Sequence, residues 1–241
     1  VRDTSIHVGT NHWFTRFSYT IYPEKSNRII SHEFNARYIY DGDTAFSMLL
    51  NEAQAGYVLK FSSTAQIQVS YDHNVVNLLF PFTFIDDEPL PAGIYNYDQV
   101  KIGLTSDRRR LFSLLGGFSY GTFYNGIRSQ YTIGIRYRAQ PWGNFSVNVE
   151  QNDLSFPEPY GKDRLLLISP RIEINFSRSL FWTTFLQYNT HRDNFNINSR
   201  LQWRFQPMSD FYIVYTDNYA VEFWGPKNRA LVIKLNYWFN L

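Results

Sequence analysis

Alternation of apolar and polar residues with period two runs through nearly the whole chain, and it constrains the fold more than any other feature. From 195 to 206, Phe195, Ile197, Leu201, Trp203 and Phe205 share one face with Ser199, while Asn196, Asn198, Arg200, Gln202, Arg204 and Gln206 form the other. On a helix of about 3.6 residues per turn both sets would smear around the cylinder. The same pattern recurs at 231–241, where Leu231, Ile233, Leu235, Tyr237, Phe239 and Leu241 alternate with Val232, Lys234, Asn236, Trp238 and Asn240.

The pattern predicts thirteen strands, at 12–22, 28–41, 45–61, 64–80, 94–106, 110–124, 127–140, 144–156, 164–176, 180–191, 194–206, 210–221 and 229–241. The period breaks near residues 51–53, and Gly116, Gly117 and Gly121 predict a bend or bulge in 110–124. Most of these strands exceed ten residues, against about five or six in globular sheets and about 9–11 in membrane-spanning strands. Tight connections at 23–27, 62–63, 107–109, 141–143, 177–179 and 207–209 alternate with more varied, sometimes long ones at 81–93, 157–163 and 222–228. Short turns on one side and longer loops on the other mark an outer-membrane barrel. Residues 138–145 (Arg-Ala-Gln-Pro-Trp-Gly-Asn-Phe) and 204–211 (Arg-Phe-Gln-Pro-Met-Ser-Asp-Phe) repeat weakly, as two similar hairpin turns with Pro at the second turn position.

Composition narrows the classes further. The chain has 241 residues, 19% aromatic and 18% charged, with no cysteine and a formal net charge of +2. The absence of cysteine excludes a disulfide scaffold, a thiolate metal site and a Cys nucleophile. The small net charge argues against a nucleic-acid partner. No run of about 18 apolar residues exists, which excludes a helical membrane span. No signal peptide stands before the first strand, and the first residue is Val1. The expectation is a processed chain or the C-terminal part of a longer precursor, with 1–241 forming one domain.

A soluble sandwich and a membrane barrel both alternate, so other features must decide between them. Aromatics crowd the apolar parity near strand ends, at Trp13, Tyr38, Tyr40, Tyr137, Trp182, Tyr188, Trp203, Phe205, Tyr237 and Phe239, as two interfacial girdles would. The opposite parity carries charges deep in strand interiors. A lipid-facing Arg costs about 2–4 kcal/mol at the bilayer midplane. Arg16, Arg37, Lys60, Lys101, Arg136, Arg138, Arg171, Arg200, Arg204 and Lys234 are therefore expected to line a lumen, with Glu33, Asp72, Glu150 and Glu173. This set reads either as an electropositive lumen for anions or sugars, or as ion pairs and amide ladders that hold a packed interior. The fold class expected is all-β: an antiparallel transmembrane β-barrel, or the C-terminal part of one, with about 12–14 strands in this chain. Bacterial barrels have even strand numbers, so thirteen is one short or one over: residues 1–10, with Ser5, Ile6, His7, Val8 and Gly9, belong to a further strand, or the chain is the C-terminal part of a larger barrel, or one of the thirteen is not a strand.

The C-terminal residues carry a family resemblance. Residues 194–218 (Asn-Phe-Asn-Ile-Asn-Ser-Arg-Leu-Gln-Trp-Arg-Phe-Gln-Pro-Met-Ser-Asp-Phe-Tyr-Ile-Val-Tyr-Thr-Asp-Asn) and 228–239 (Asn-Arg-Ala-Leu-Val-Ile-Lys-Leu-Asn-Tyr-Trp-Phe) resemble the end of a Bacteroidota outer-membrane barrel domain of unknown function. That domain usually follows a module similar to family-nine carbohydrate-binding modules, which has no counterpart in this sequence. The resemblance implies a barrel fold and an outer-membrane location, and it carries over no catalytic residue.

Sites of other kinds are weakly signalled. His32-Glu-Phe-Asn35 lacks the Ser of an outer-membrane phospholipase, and His191 with Asp193 lies near a rim without the acidic pairs of an outer-membrane protease. Asp86, Asp87 and Glu88 are consecutive acids that cannot easily face one calcium ion. His7, His12, His32, His73 and His191 give no zinc spacing. Arg108, Arg109 and Arg110 form a basic turn that meets lipid phosphate, peptidoglycan or solvent. No catalytic residue, metal or cofactor is expected. The function expected is an outer-membrane channel or receptor for small polar or anionic solutes such as oligosaccharides. The alternatives are a scaffold barrel in a larger outer-membrane complex and a hydrolase. The partners expected are outer-membrane lipid, small polar solutes and other outer-membrane proteins.

Overall fold

The computed structural model describes residues 9–85, 88–190, 193–221 and 225–239. The extra N-terminal strand rests mainly on residues 1–8 and the calcium reading on Asp86 and Asp87. Those residues, with His7, His191 and Leu241, lie outside the described ones.

The chain is all-β. Its strands are β1 (Asn11–Ile21), β2 (Ile29–Gly42), β3 (Met48–Phe61), β4 (Gln66–Leu78), β5 (Gly93–Thr105), β6 (Phe112–Phe123), β7 (Gly126–Ala139), β8 (Gly143–Ser155), β9 (Lys162–Asn175), β10 (Leu180–Asn189), β11 (Asn194–Gln206), β12 (Ser209–Ala220) and β13 (Gly225–Asn236). They form one thirteen-stranded sheet in sequence order. Among the described residues there is no helix, and β1 and β13 each have a single neighbour. Two boundaries differ from expectation. The pairing of β13 begins at Gly225 and ends at Asn236, opposite Asp210, so Tyr237 and Phe239 lie beyond the ladder. Strand β3 pairs with β4 without a break from Leu50 to Lys60. Its period looked broken only because Leu50 lies on the polar face and Asn51 on the apolar one.

The chain divides into two compact units. Unit 1 comprises Val1–Thr105, Gly117–Gln130 and Asn152–Arg164; unit 2 comprises Ser106–Gly116, Tyr131–Gln151 and Leu165–Leu241. In unit 1 the register stacks Arg16, Arg37, Gln54, Asp72 and Gln99 across β1–β5 on one face. Phe17, Ala36, Ala55, Tyr71 and Val100 form the adjoining row on the other. In unit 2, Glu173, Thr183, Arg200, Val214 and Val232 share the polar face, and Ile174, Trp182, Leu201, Ile213 and Ile233 the apolar face.

The glycines of β6 were expected to mark a bend, and the structure gives Gly121 a different role. A Cβ there would lie 2.0 Å from the Asp98 carbonyl oxygen and 2.8 Å from Gln99 Cα. Only a residue without a side chain lets the two backbones approach so closely. The two proline turns also differ from each other. Pro207 is followed by Met208 at φ 61° between β11 and β12, as a type II turn requires. Pro141 instead takes the third position of a turn closed by Trp142 N–H donating to Ala139 O at 2.8 Å, and its peptide bond is cis.

Burial is inverted relative to a soluble protein. Leu104 is 50% exposed and Ile133 57%, while Asp72 is 1% exposed. Among the described residues the buried hydrophobics are Leu90, Leu154, Phe156 and Ala220. The accessible surface is 16288 Å², against about 11,000 Å² for a folded soluble monomer of 28.5 kDa.

Candidate polar-face site

In unit 1 the polar face is a ladder of ion pairs. Arg16 and Arg37 stand directly opposite one another, an arrangement that like charges disfavour. Acids on neighbouring positions relieve it. Arg16 Nη2 lies 3.8 Å from Glu33 Oε1, Lys60 Nζ donates to Glu33 Oε2 at 2.8 Å, and Arg37 pairs with Glu52. Further along, Lys101 Nζ lies 2.8 Å from Asp72 Oδ2, and the Gln54 amide donates to Asp72 Oδ1. These side chains border a polar cavity of about 360 Å³, lined by Arg16, Glu33, Asn35, Arg37, Gln54, Lys60, Gln66 and Gln68 with Phe14 and Val58. Guanidinium, ammonium, amide and carboxylate groups converge there, the mixture that hydrogen-bonds hydroxyl-rich or anionic solutes.

At the long-connection end of unit 1 an aromatic cluster covers the polar face. The 79–92 connection is braced by paired hydrogen bonds between Phe82 and Leu90, at 3.0 and 2.9 Å. The Phe84 ring meets those of Phe82, Phe123, Tyr124 and Phe156 at 4.7–5.8 Å. Phe123 also lies under the Arg128 guanidinium, 5.4 Å from its carbon. Sequence reasoning treated this segment as a plain loop. The signal it passed over is the apolar run Phe80, Phe82, Phe84 and Ile85.

In unit 2, Arg171 binds Glu173 at 2.6 Å, and Asn144 donates to the other oxygen of Glu173 at 3.2 Å. Arg204 and Gln202 share Asp210 Oδ1 at 3.2 and 2.9 Å. Gly134 faces Asn148, so Arg136 and Arg138 on β7 and Glu150 on β8 share that face by alternation. Lys234 stands opposite Tyr212 and Arg200 opposite Thr183 and Val214. No acid among the described residues lies within 4.0 Å of Arg136, Arg138, Arg200 or Lys234.

The expected lumen set thus falls on the polar face in both units, but the anions were undercounted. Glu52 and Asp210 belong to the face and neutralise Arg37 and Arg204. Six of the ten cations (Arg16, Arg37, Lys60, Lys101, Arg171 and Arg204) have a carboxylate within reach.

The aromatic positions fall on the apolar face. In unit 2, Trp203, Phe205, Tyr237 and Phe239 form a chain of ring contacts, and Tyr137 packs between Phe112 and Phe145. In unit 1, Trp13 is exposed beside Tyr40. Trp182 differs from a headgroup anchor: its indole N–H donates to Ser199 Oγ at 2.8 Å.

The histidines are scattered. His12 pairs with Asp41 at 2.5 Å, His32 with the Tyr57 hydroxyl at 2.7 Å and His73 with Asp98 at 2.7 Å. Among the described residues no three His, Asp or Glu side chains group as metal ligands. At the turn before β6, Asp107 accepts from Arg109 N–H, Nε and Nη2 at 2.9–3.1 Å. These hydrogen bonds hold the guanidinium above its ordinary value, so the central arginine of the basic turn binds inward. No family model, curated protein or solved structure matches the chain.

Proposed function

We propose that this chain is an outer-membrane β-barrel whose polar face lines an interior that binds or passes small polar or anionic solutes, oligosaccharides among them. The observation that carries the reading is the pattern of burial: apolar side chains such as Leu104, Ile133 and Ile135 stand exposed, while Asp72, Gln99, Ser113 and Ser119 are buried. Exposed apolar area on this scale needs a covering apolar phase, and a sheet can meet lipid only if its backbone groups are paired and its edges closed. Thirteen strands, each antiparallel to the next, leave β1 and β13 running in the same direction. An all-antiparallel ring therefore takes an odd number of further strands. The resemblance of residues 194–218 and 228–239 to a Bacteroidota barrel domain supports the same location. The cavity bordered by Arg16, Glu33 and Lys60 favours solute binding.

A second reading, a scaffold barrel with a filled interior, draws on the aromatic cluster around Phe84 and on the paired charges of unit 1. Membrane fractionation and planar-bilayer recording separate these readings. Recovery with outer membranes and a conductance that prefers anions is the expected result. Membrane recovery without conductance above background discards the channel and leaves the scaffold. Recovery as a detergent-free folded monomer discards both.

A further inference from the structure

On the apolar face of unit 1 lies a cavity of about 370 Å³. Its floor is made of methyl side chains on adjacent strands: Ala36 stands opposite Ala55, and Ala53 is the next residue along β3 on the same face. Phe17, Tyr38 and Tyr71 wall it, and His73 ends it. Both side chains at that end point their polar atoms at one carboxylate. The Tyr71 hydroxyl donates to Asp98 Oδ1 at 2.6 Å, and His73 Nδ1 meets the same oxygen at 2.7 Å. The backbone of Asp98 is tied by its N–H to Thr122 Oγ1 at 2.8 Å.

The His73 imidazole faces this carboxylate as its partner. Among the described residues no Lys or Arg lies within 4.0 Å of Asp98, and its Oδ2 accepts no hydrogen bond. The side chain is 48% exposed on a face that is otherwise oily. An ionisable group held on a membrane-facing surface marks a functional position unless it is neutralised there. The carboxylate's Oδ2, open beside an apolar trough, complements an ammonium group.

We propose that this is a binding site for one membrane lipid with a primary-ammonium headgroup, its acyl chain lying over Ala36, Ala53 and Ala55 and its ammonium on Asp98. The site rests on the membrane reading above. The test uses the full chain in vesicles of equimolar phosphatidylethanolamine and phosphatidylglycerol, extracted in mild detergent, with retained lipid counted by native mass spectrometry. The expected result is about fivefold enrichment of phosphatidylethanolamine, the ratio that ~1 kcal/mol of headgroup electrostatics gives. Asp98→Asn, nearly isosteric, brings the ratio to about one. Ala53→Leu with Ala55→Leu lowers total retained lipid. Equal retention of the two lipids by the native chain, or an unchanged ratio in Asp98→Asn, overturns the site alone when the chain is inserted and heat-modifiable. A folded chain that stays out of the vesicles overturns the membrane reading, and the site with it.

Discussion

Unit 1 and unit 2 share a strand pattern but balance charge differently on both faces. On the polar face, unit 1 ties Arg16, Arg37, Lys60 and Lys101 to Glu33, Glu52 and Asp72. In unit 2, Arg136, Arg138, Arg200 and Lys234 have no acid within 4.0 Å among the described residues. On the apolar face the contrast reverses. Unit 2 neutralises a deep carboxylate: Asp217, 0% exposed, takes Arg229 Nε at 2.7 Å and the Tyr215 hydroxyl at 2.5 Å, while Arg229 reaches the Tyr219 hydroxyl at 2.9 Å. In unit 1 the Asp98 side chain meets a histidine and a tyrosine among the described residues. Paired charges hold strands together, and unpaired ones are free to meet a solute or a lipid. On the function proposed above, unit 2 would then govern what the polar face attracts, and unit 1 what the apolar face retains.

The contrast can be broken at several points. The largest effect expected is from Gly121→Val in unit 1, because its Cβ meets backbone that cannot move aside. It should cost more than ~3 kcal/mol and abolish the heat-modifiable folded band on gels. Gly134→Ala in unit 2 meets the Asn148 side chain at 2.7 Å, which can rotate away, so folded protein should still be recovered. Next, Phe84→Ala removes the hub of the aromatic cluster and should cost about 2 kcal/mol, since Phe84 is only half-buried. Limited proteolysis within 79–92 should speed up accordingly.

Asp217→Asn should lower the unfolding temperature measurably, because it strips the counterion from Arg229. Asp98→Asn should leave that temperature unchanged or higher. An equal loss in both would erase the distinction drawn between the two apolar faces. The smallest effect is on selectivity. Arg200→Gln should lower the anion-to-cation permeability ratio about twofold, while the double change Arg37→Gln and Glu52→Gln removes no net charge and should leave it unaltered.

Strand existence was legible in the sequence because a two-residue period has one interpretation in extended chain. Every predicted strand has its counterpart, and β11 matches residue for residue. What was lost depends on register, which no single strand encodes. Glu52 went uncounted because residues 51–53 looked like a break, and Asp210 because it stood at the edge of a turn. That Arg37 is neutralised while Arg200 is not follows from which residues lie opposite and diagonal to them, a property of neighbouring strands. The Phe84 cluster was hidden for a related reason: its partners come from β6, the turn after it and the end of β8. The Asp98 trough needs Ala36, Ala53, Tyr71 and His73 brought together from three strands.

The row spacing of unit 1 bears on the bilayer itself. From Leu104 to Asp98 the apolar face of β5 advances six residues, roughly 20 Å along the strand and about 15 Å of depth at a tilt near 40°. An ordinary outer-membrane barrel offers lipid a band about 25 Å tall. If the chain inserts as proposed and Asp98 sits at the headgroups, the hydrocarbon beside it would dip inward or thin by several ångströms, a mismatch that sorts proteins toward thinner membranes. Shorter-chain lipids would accordingly be the easier host for this protein's insertion.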